Sequence, residues 1–429
     1  MQRLAQLLTA TAIAAVATAT VPAAVADVEI EVYHAWPSHK RFHEPIAAEF
    51  MEANPGITVT FRTPGPTYDD AHQAVLRGAL TGELPDVFHS GYHLLRQLST
   101  TLAARSQIIA LDDLMAAEGQ EWIEANYAPN VLNLGTVDGV FYGMPFNAST
   151  PIVYYNMDLV TAAGGSADAL PEDWDSLIAL GAKIAASADD VDGMAYDVHA
   201  WPDDWLWQAL MYQEGGSLMN ADETEVAFGN DIGLRGLELA RRIVTEGGMP
   251  MLDFKESRQQ FCAGKLGIIF SSTAGVRRFT ECSGDNFALK THTFPVVDKE
   301  NGGVPTGGNA AVILSNDAEK KAAAWKYLKF IAGPRGQEIA VLGSGYMPTN
   351  KRAVEAEFLG DHYDNNPNWV TSLNQADRAQ KWVGYPGNNG VKIWRTQREI
   401  IDAVMRGQIE PQEGLDRMVA ETQALLPRN

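Results

Sequence analysis

Between residues 28 and 88 the hydrophobic pattern changes period four times, and this alternation constrains the fold more than any other feature of the chain. Val28-Glu29-Ile30-Glu31-Val32-Tyr33 alternates with period two, as a half-buried strand does. The spacing then predicts a helix over 39–54, with Phe42, Ile46, Ala47, Phe50 and Met51 on one face and Pro55-Gly56 as its stop. Ile57 to Phe61 reads as a second strand, 68–80 as a second helix, and Asp86-Val87-Phe88 as a short buried strand. Strand, helix, strand, helix, strand in so short a span requires a parallel sheet with helices on its faces, an α/β architecture.

The pattern changes at Gly143-Met144-Pro145-Phe146-Asn147, after a hairpin-like stretch over 137–142. Ile152 to Asn156 reads as a strand, 171–242 as mostly helical behind a turn at Asp173, and 265–271 as a buried strand. A loop over 298–308, rich in Gly and charge, precedes the apolar run 310–314. A strong helix over 319–331 ends at Gly333-Pro334, and the last 80 or so residues read as helices joined by Asn, Gly and Pro loops.

The first 26 residues carry one cation, Arg3, then an uncharged run of Leu, Ala, Val and Thr, then Ala24-Val25-Ala26. That order is the pattern of a secretory leader cleaved after Ala26. Pro22 and the threonines make the run too weak for a membrane span, and no Cys follows for a lipid anchor. Removing 26 of 429 residues leaves 403, too many for one typical core and enough for two. The net charge of −21 becomes −22 without Arg3, which argues against nucleic acid and anionic membranes as partners.

No glycine-rich nucleotide loop, nucleophile elbow, H-E-x-x-H or C-x-x-C occurs, so the reading is that of a non-enzyme with no cofactor, no catalytic set and no metal site. His89 and His93 are four apart, but Ser90-Gly91 between them signals a turn. The acidic pairs Asp69-Asp70 and Asp203-Asp204 read as solvated surface or helix caps in a chain of 54 acids. Cys262 and Cys282 are a candidate disulfide in an oxidising compartment, or two buried thiols. Trp36, Tyr68, Tyr92, Trp201, Trp205, Trp207, Tyr346 and Trp394 fall near strand ends or turns. Aromatic faces there, with small polar residues, suit the C–H faces and hydroxyl edges of sugars and polyols.

Five segments carry a resemblance: PFNASTPIVYYNMD at 145–158, FCAGKLGIIFSSTAG at 261–275, GGNAAVILS at 307–315, KFIAGPRGQEIAVLGSGYMPTN at 329–350 and VMRGQIEPQEGLD at 404–416. In this order they resemble the family-1 extracellular solute-binding proteins of ABC importers, and within them the glycerol-3-phosphate-binding members. The resemblance implies the type II periplasmic binding fold, like that of maltose-binding proteins: two α/β lobes, a hinge crossed three times and a ligand cleft between the lobes. It divides the chain into a leader at 1–26, one lobe at 27–146 with 297–344, and another at 147–296 with 345–429. It further implies a periplasmic monomer that hands a carbohydrate-type solute to a permease and its ATPase.

Position by position, the resemblance assigns ligand contacts to Tyr68, Ser149, Trp201, Ser272, Gly308 and Tyr346. Two positions depart from it. Trp394 stands where a phosphate-binding arginine is expected, with Arg395 one residue away, and Tyr92 stands where an acid is expected. The cationic loop Ser38-His39-Lys40-Arg41 offers His39, Lys40 and Arg41 as anion contacts, or is merely a solvated helix start. Three readings follow: a binder of glycerol 3-phosphate or a glycerophosphodiester, a binder of neutral sugars or polyols, and a secreted carbohydrate-active enzyme.

Overall fold

The computed structural model describes residues 27–427. Its first sheet begins with β1 (Val28–Tyr33), which pairs in parallel with β2 (Ile57–Phe61) and β3 (Val87–Gly91). The expected helices between them run Lys40–Ala53 and Tyr68–Thr81. The second is capped by Thr67, whose side chain accepts from the Asp70 N–H, so its start is encoded locally. The hairpin β4 (Thr136–Val137) and β5 (Val140–Phe141) turns at Asp138-Gly139, both with positive φ, as a two-residue hairpin turn requires.

β6 (Gly143–Ser149) belongs to the first sheet, and one residue later β7 (Pro151–Asn156) belongs to the second. The second sheet adds β8 (Asp192–Ala195), β9 (Leu266–Ser272) and β10 (Leu289–Thr293) in the order β10-β7-β9-β8. The chain then returns to the first sheet as β11 (Val304–Ile313), antiparallel to both β3 and β6. The sequence pattern places a loop up to Gly308, but the strand already starts at Val304; its glycines are buried, so their lack of side chains does not end the ladder. The third passage follows the helix Pro334–Leu342, where Met347 bridges to Ala148. A short β12 (Ala379–Lys381) pairs with the start of β11.

The result is two α/β lobes of the type II solute-binding architecture. Both sheets are covered by helices, and one continuous apolar cluster runs from Tyr33 and Phe88 beside the first sheet to Trp207 and Phe270 beside the second. Cys262 and Cys282 form a disulfide, with Cα atoms 5.3 Å apart, between the helices Phe254–Cys262 and Val276–Ser283. Among the described residues no helix is long and apolar enough to cross a membrane. The leader pattern and its cleavage point lie outside the described residues.

Candidate functional site

The strand ends of the two sheets meet across a space lined by aromatic rings. At the end of β1 the chain turns through Trp36, whose φ of 65° lies in the left-handed region that a bulky residue avoids. Its N–H bonds to Gly65 O at 2.7 Å, so the fold holds the strained residue in place and sets its ring edge-on to Tyr68, 5.9 Å away. Tyr68, the first residue of its helix, accepts from Asn309 Nδ2 at 3.2 Å, and burial pushes its phenol up to about 12. Asn309 also donates to Asn147 Oδ1 at 3.1 Å and faces His89 Nδ1 at 3.0 Å. Next to it Gly308 has φ 123°, and a Cβ there would stand 2.8 Å from Asn147 Oδ1. Only glycine fits this close approach.

The second lobe contributes a stacked pair, Trp201 on Trp205, with centroids 5.7 Å apart. The Trp205 indole N–H reaches back across the cleft to Pro305 O at 3.1 Å. Phe254 meets Trp201 edge-on at 4.6 Å. Arg258 lays its guanidinium over the Phe254 ring at 3.7 Å and 5.6 Å from the Trp201 centroid. From the third crossing Tyr346 comes within 3.4 Å of His39 Nε2.

Beside this space lies a buried acidic cluster to which both lobes contribute. His93 stacks flat on Trp382, centroids 3.7 Å apart, and its Nε2 sits 3.5 Å from Asp69 Oδ1. Asp204 accepts from the Trp382 indole at 2.8 Å and from Gln208 at 2.9 Å, while Asp203 accepts the Trp205 N–H at 3.3 Å. Trp394 and Tyr385 complete the wall of a cavity of about 20 Å³, enough for a single water. Burial is the main cause pushing Asp203 up to about 7, and it raises Asp204 too. For His93 burial opposes the charged form, but the three carboxylates outweigh it and the imidazole is raised.

A model of the bacterial extracellular solute-binding proteins matches residues 36–338. That stretch is well over half of the chain. The chain belongs to this family. Among curated relatives, the sn-glycerol-3-phosphate-binding periplasmic protein UgpB of Rhizobium meliloti is 22% identical over 414 residues, covering 94% of this chain and 95% of the relative. UgpB of Escherichia coli K12 is 22% identical over 407 residues, with 90% and 89% covered. Among solved structures, UgpB of Mycobacterium tuberculosis in complex with glycerophosphocholine superposes with a TM-score of 0.79 at 19% identity, covering 92% of this chain and 98% of that one. Maltose-bound MalE3 of T. maritima gives 0.76 at 17%, covering 93% and 100%.

In this solute-binding protein the positions singled out from sequence separate into three groups. Tyr68, Trp201, Gly308 and Tyr346 are buried, and the half-buried Ser272 caps the turn Thr273–Gly275 by accepting from the Ala274 N–H at 3.1 Å. Ser149 and Tyr92 are buried, and Tyr92 donates to Asn147 O at 3.0 Å. Tyr92 therefore replaces an acid with a hydroxyl that already has a partner.

Of the cations proposed from sequence, Lys40, Arg41 and Arg395 are exposed to solvent. Lys40 and Arg41 are exposed and lie 4.0 Å from Glu44 and 3.3 Å from Glu281, because the first helical turn points them outward. His39 does sit beside Tyr346, but burial drives its basicity well below the ordinary histidine value, so it is neutral. Arg395 is exposed on the helix Gly390–Met405, while Trp394 is buried on its inner face. The expectation of solvated acidic pairs fails for Asp69, Asp203 and Asp204, all buried; only Asp70, at its cap, is exposed. His89 and His93 end in separate environments, and no grouping of three or more His, Cys, Asp or Glu suited to a metal occurs among the described residues. Asn309, Trp382 and Arg258 escaped the sequence reading, and His93 entered it only through its spacing to His89. No local pattern marks them, since each gains its surroundings from a distant segment.

Proposed function

We propose that this chain is the periplasmic substrate-binding component of an ABC importer, and that it captures glycerol 3-phosphate or a glycerophosphodiester for delivery to a permease and its ATPase. The observation that supports the reading is a set of aromatic rings contributed by both lobes, Trp36 with Tyr68 and Trp201 with Trp205, joined where the Trp205 indole N–H bonds to Pro305 O. Aromatic faces suit the carbon skeleton of such a solute, and hydroxyl and backbone donors suit its oxygens. The extent of the match to the glycerol-3-phosphate-binding relatives supports the phosphate-bearing class. In this reading the lobes are 27–146 with 297–344 and 147–296 with 345–429, and they close on the ligand as a hinge does. The protein acts as an exported monomer, freed from its leader after Ala26.

A second reading, capture of a neutral saccharide or polyol, draws support from Trp394 in place of an arginine and from Asp69, Asp203 and Asp204 near the space. Carboxylates accept from sugar hydroxyls and repel phosphate. The test is a thermal-shift and calorimetry panel of glycerol 3-phosphate, glycerophosphocholine, mono- and disaccharides and polyols. A ligand at 100 times its Kd adds about 2.7 kcal/mol of apparent stability. Stabilisation by phosphate compounds supports the first reading, and stabilisation by neutral sugars alone overturns it in favour of the second.

A further inference from the structure

We propose that Arg258 is the residue that recognises the negative charge of the ligand, through its guanidinium at the second-lobe wall of the cleft. The inference rests on the phosphate-bearing reading and names the donor that reading lacks once Arg395, Lys40 and Arg41 are found on the outer surface. Arg258 lies on the helix Phe254–Cys262, which a capping box formed by Asp253 and Glu256 holds rigidly at its start. The side chain extends over Phe254 and Trp201 to the end of β9, where it donates to Ser271 Oγ at 3.0 Å. Ser272 follows directly, and its carbonyl accepts from the Tyr154 hydroxyl at 2.7 Å. It therefore sits beside two residues singled out as ligand contacts, Trp201 and Ser272.

Its hydrogen bonding is incomplete. Among the described residues, only the one of its five N–H donors that reaches Ser271 has a partner, and Nε is buried without any. No carboxylate forms a salt bridge with Arg258 among the described residues. Asp197, whose charge favours the guanidinium, accepts from Ser257 Oγ at 2.8 Å, and burial pushes it up to about 7. The exposed Arg278 adds further positive potential. A guanidinium stacked over the Phe254 ring, with its fork largely unfilled and no salt bridge among the described residues, is preorganised for a bidentate oxyanion. The Ser272 hydroxyl, which accepts from the Ala274 N–H, keeps its own proton as a further donor for the same group.

The experiment is calorimetric titration of the purified protein, wild type, Arg258→Gln, Arg258→Lys and Arg395→Gln, with glycerol 3-phosphate and with glycerophosphocholine, at low and high salt. The expected result is a loss of affinity on the order of 10- to 100-fold in Arg258→Gln, a smaller loss in Arg258→Lys, and none in Arg395→Gln. The salt dependence should weaken in Arg258→Gln alone. If Arg258→Gln does not melt cooperatively, Arg258→Lys decides: it preserves the charge and loses the planar fork, so wild-type affinity in it overturns the proposal. Unaltered affinity in a folded Arg258→Gln likewise overturns it while leaving the phosphate reading intact. A wild type that binds no phosphate compound but does bind a neutral sugar overturns the reading on which the proposal rests.

Discussion

Asp203 makes closed packing sensitive to pH in a way that one substitution can isolate. Its carboxyl is buried at the lobe interface beside Asp69 and Asp204, and only His93 supplies a compensating charge. Its titration point rises from 3.8 to about 7, so the folded protein holds a proton there that the unfolded chain releases. Stability from this group is therefore complete below pH 3.8 and declines as pH rises through about 7. At 1.36 kcal/mol per pKa step, the difference between 3.8 and about 7 corresponds to about 4 kcal/mol lost at pH 8, of which about 2 is already lost at pH 5. His93, raised as well, acts in the same direction, since its stabilising charge is also lost as pH rises through its folded value.

Asp203→Asn retains the acceptor for the Trp205 N–H and removes the charge. It should stabilise the protein by about 4 kcal/mol at pH 8 and by about 2 at pH 5. With an unfolding entropy of about 2.1 cal/mol/K per residue over ~400 residues, 4 kcal/mol raises Tm by about 5 °C. Calorimetric melts of wild type and variant at both pH values read this directly. A variant that melts no higher than wild type at pH 8, or that keeps the wild-type difference between the two pH values, refutes the reasoning.

Other expectations follow from single sites. Arg395→Ala should leave melting and ligand affinity within about 0.5 kcal/mol of wild type, as its side chain is exposed and makes no hydrogen bond among the described residues; denaturant titration and calorimetry check both. Gly308→Ala should cost more than about 2 kcal/mol, because its φ of 123° and the nearby Asn147 oxygen both oppose a Cβ; chemical denaturation measures it. Replacing Cys262 and Cys282 by serine opens a loop of 20 residues and should cost about 3 kcal/mol, read as a lower Tm that added reductant no longer changes. Trp36→Gly relieves a left-handed backbone strain of about 1–3 kcal/mol, so stability should change little while ligand affinity falls.

Much of the architecture was legible because it is written locally. The strand-helix alternation over 28–88 is a pattern of period, and the caps at Thr67, Asp173 and Asp253 are side chains bonding to the backbone within three residues. The break near Asn147 also shows in the chain, although β6 continues to Ser149 before the sheets change. The site was legible only in part. Trp201, Ser272 and Tyr346 stood out by residue type and by likeness to a family, yet neither signal separates a ring that faces the cleft from one packed beneath it, such as Tyr92.

The sequence by itself determined the α/β elements, their order and the kind of surface the cleft offers, because period, capping and turn chemistry act over a few residues. Tertiary structure alone decided the charge of the cleft. Asp69 and Asp203, ordinary surface acids by local pattern, are brought beside His93 from segments more than 100 residues apart and become buried. On α-helical backbone the inward or outward direction of a cation is a matter of 100° per residue, so Arg395 faces solvent where Trp394 faces the core, while Arg258, on another helix, lies 5.6 Å from the Trp201 ring. Electrostatic environment is set by distance through space and by exclusion of water, and neither is defined until the two lobes meet.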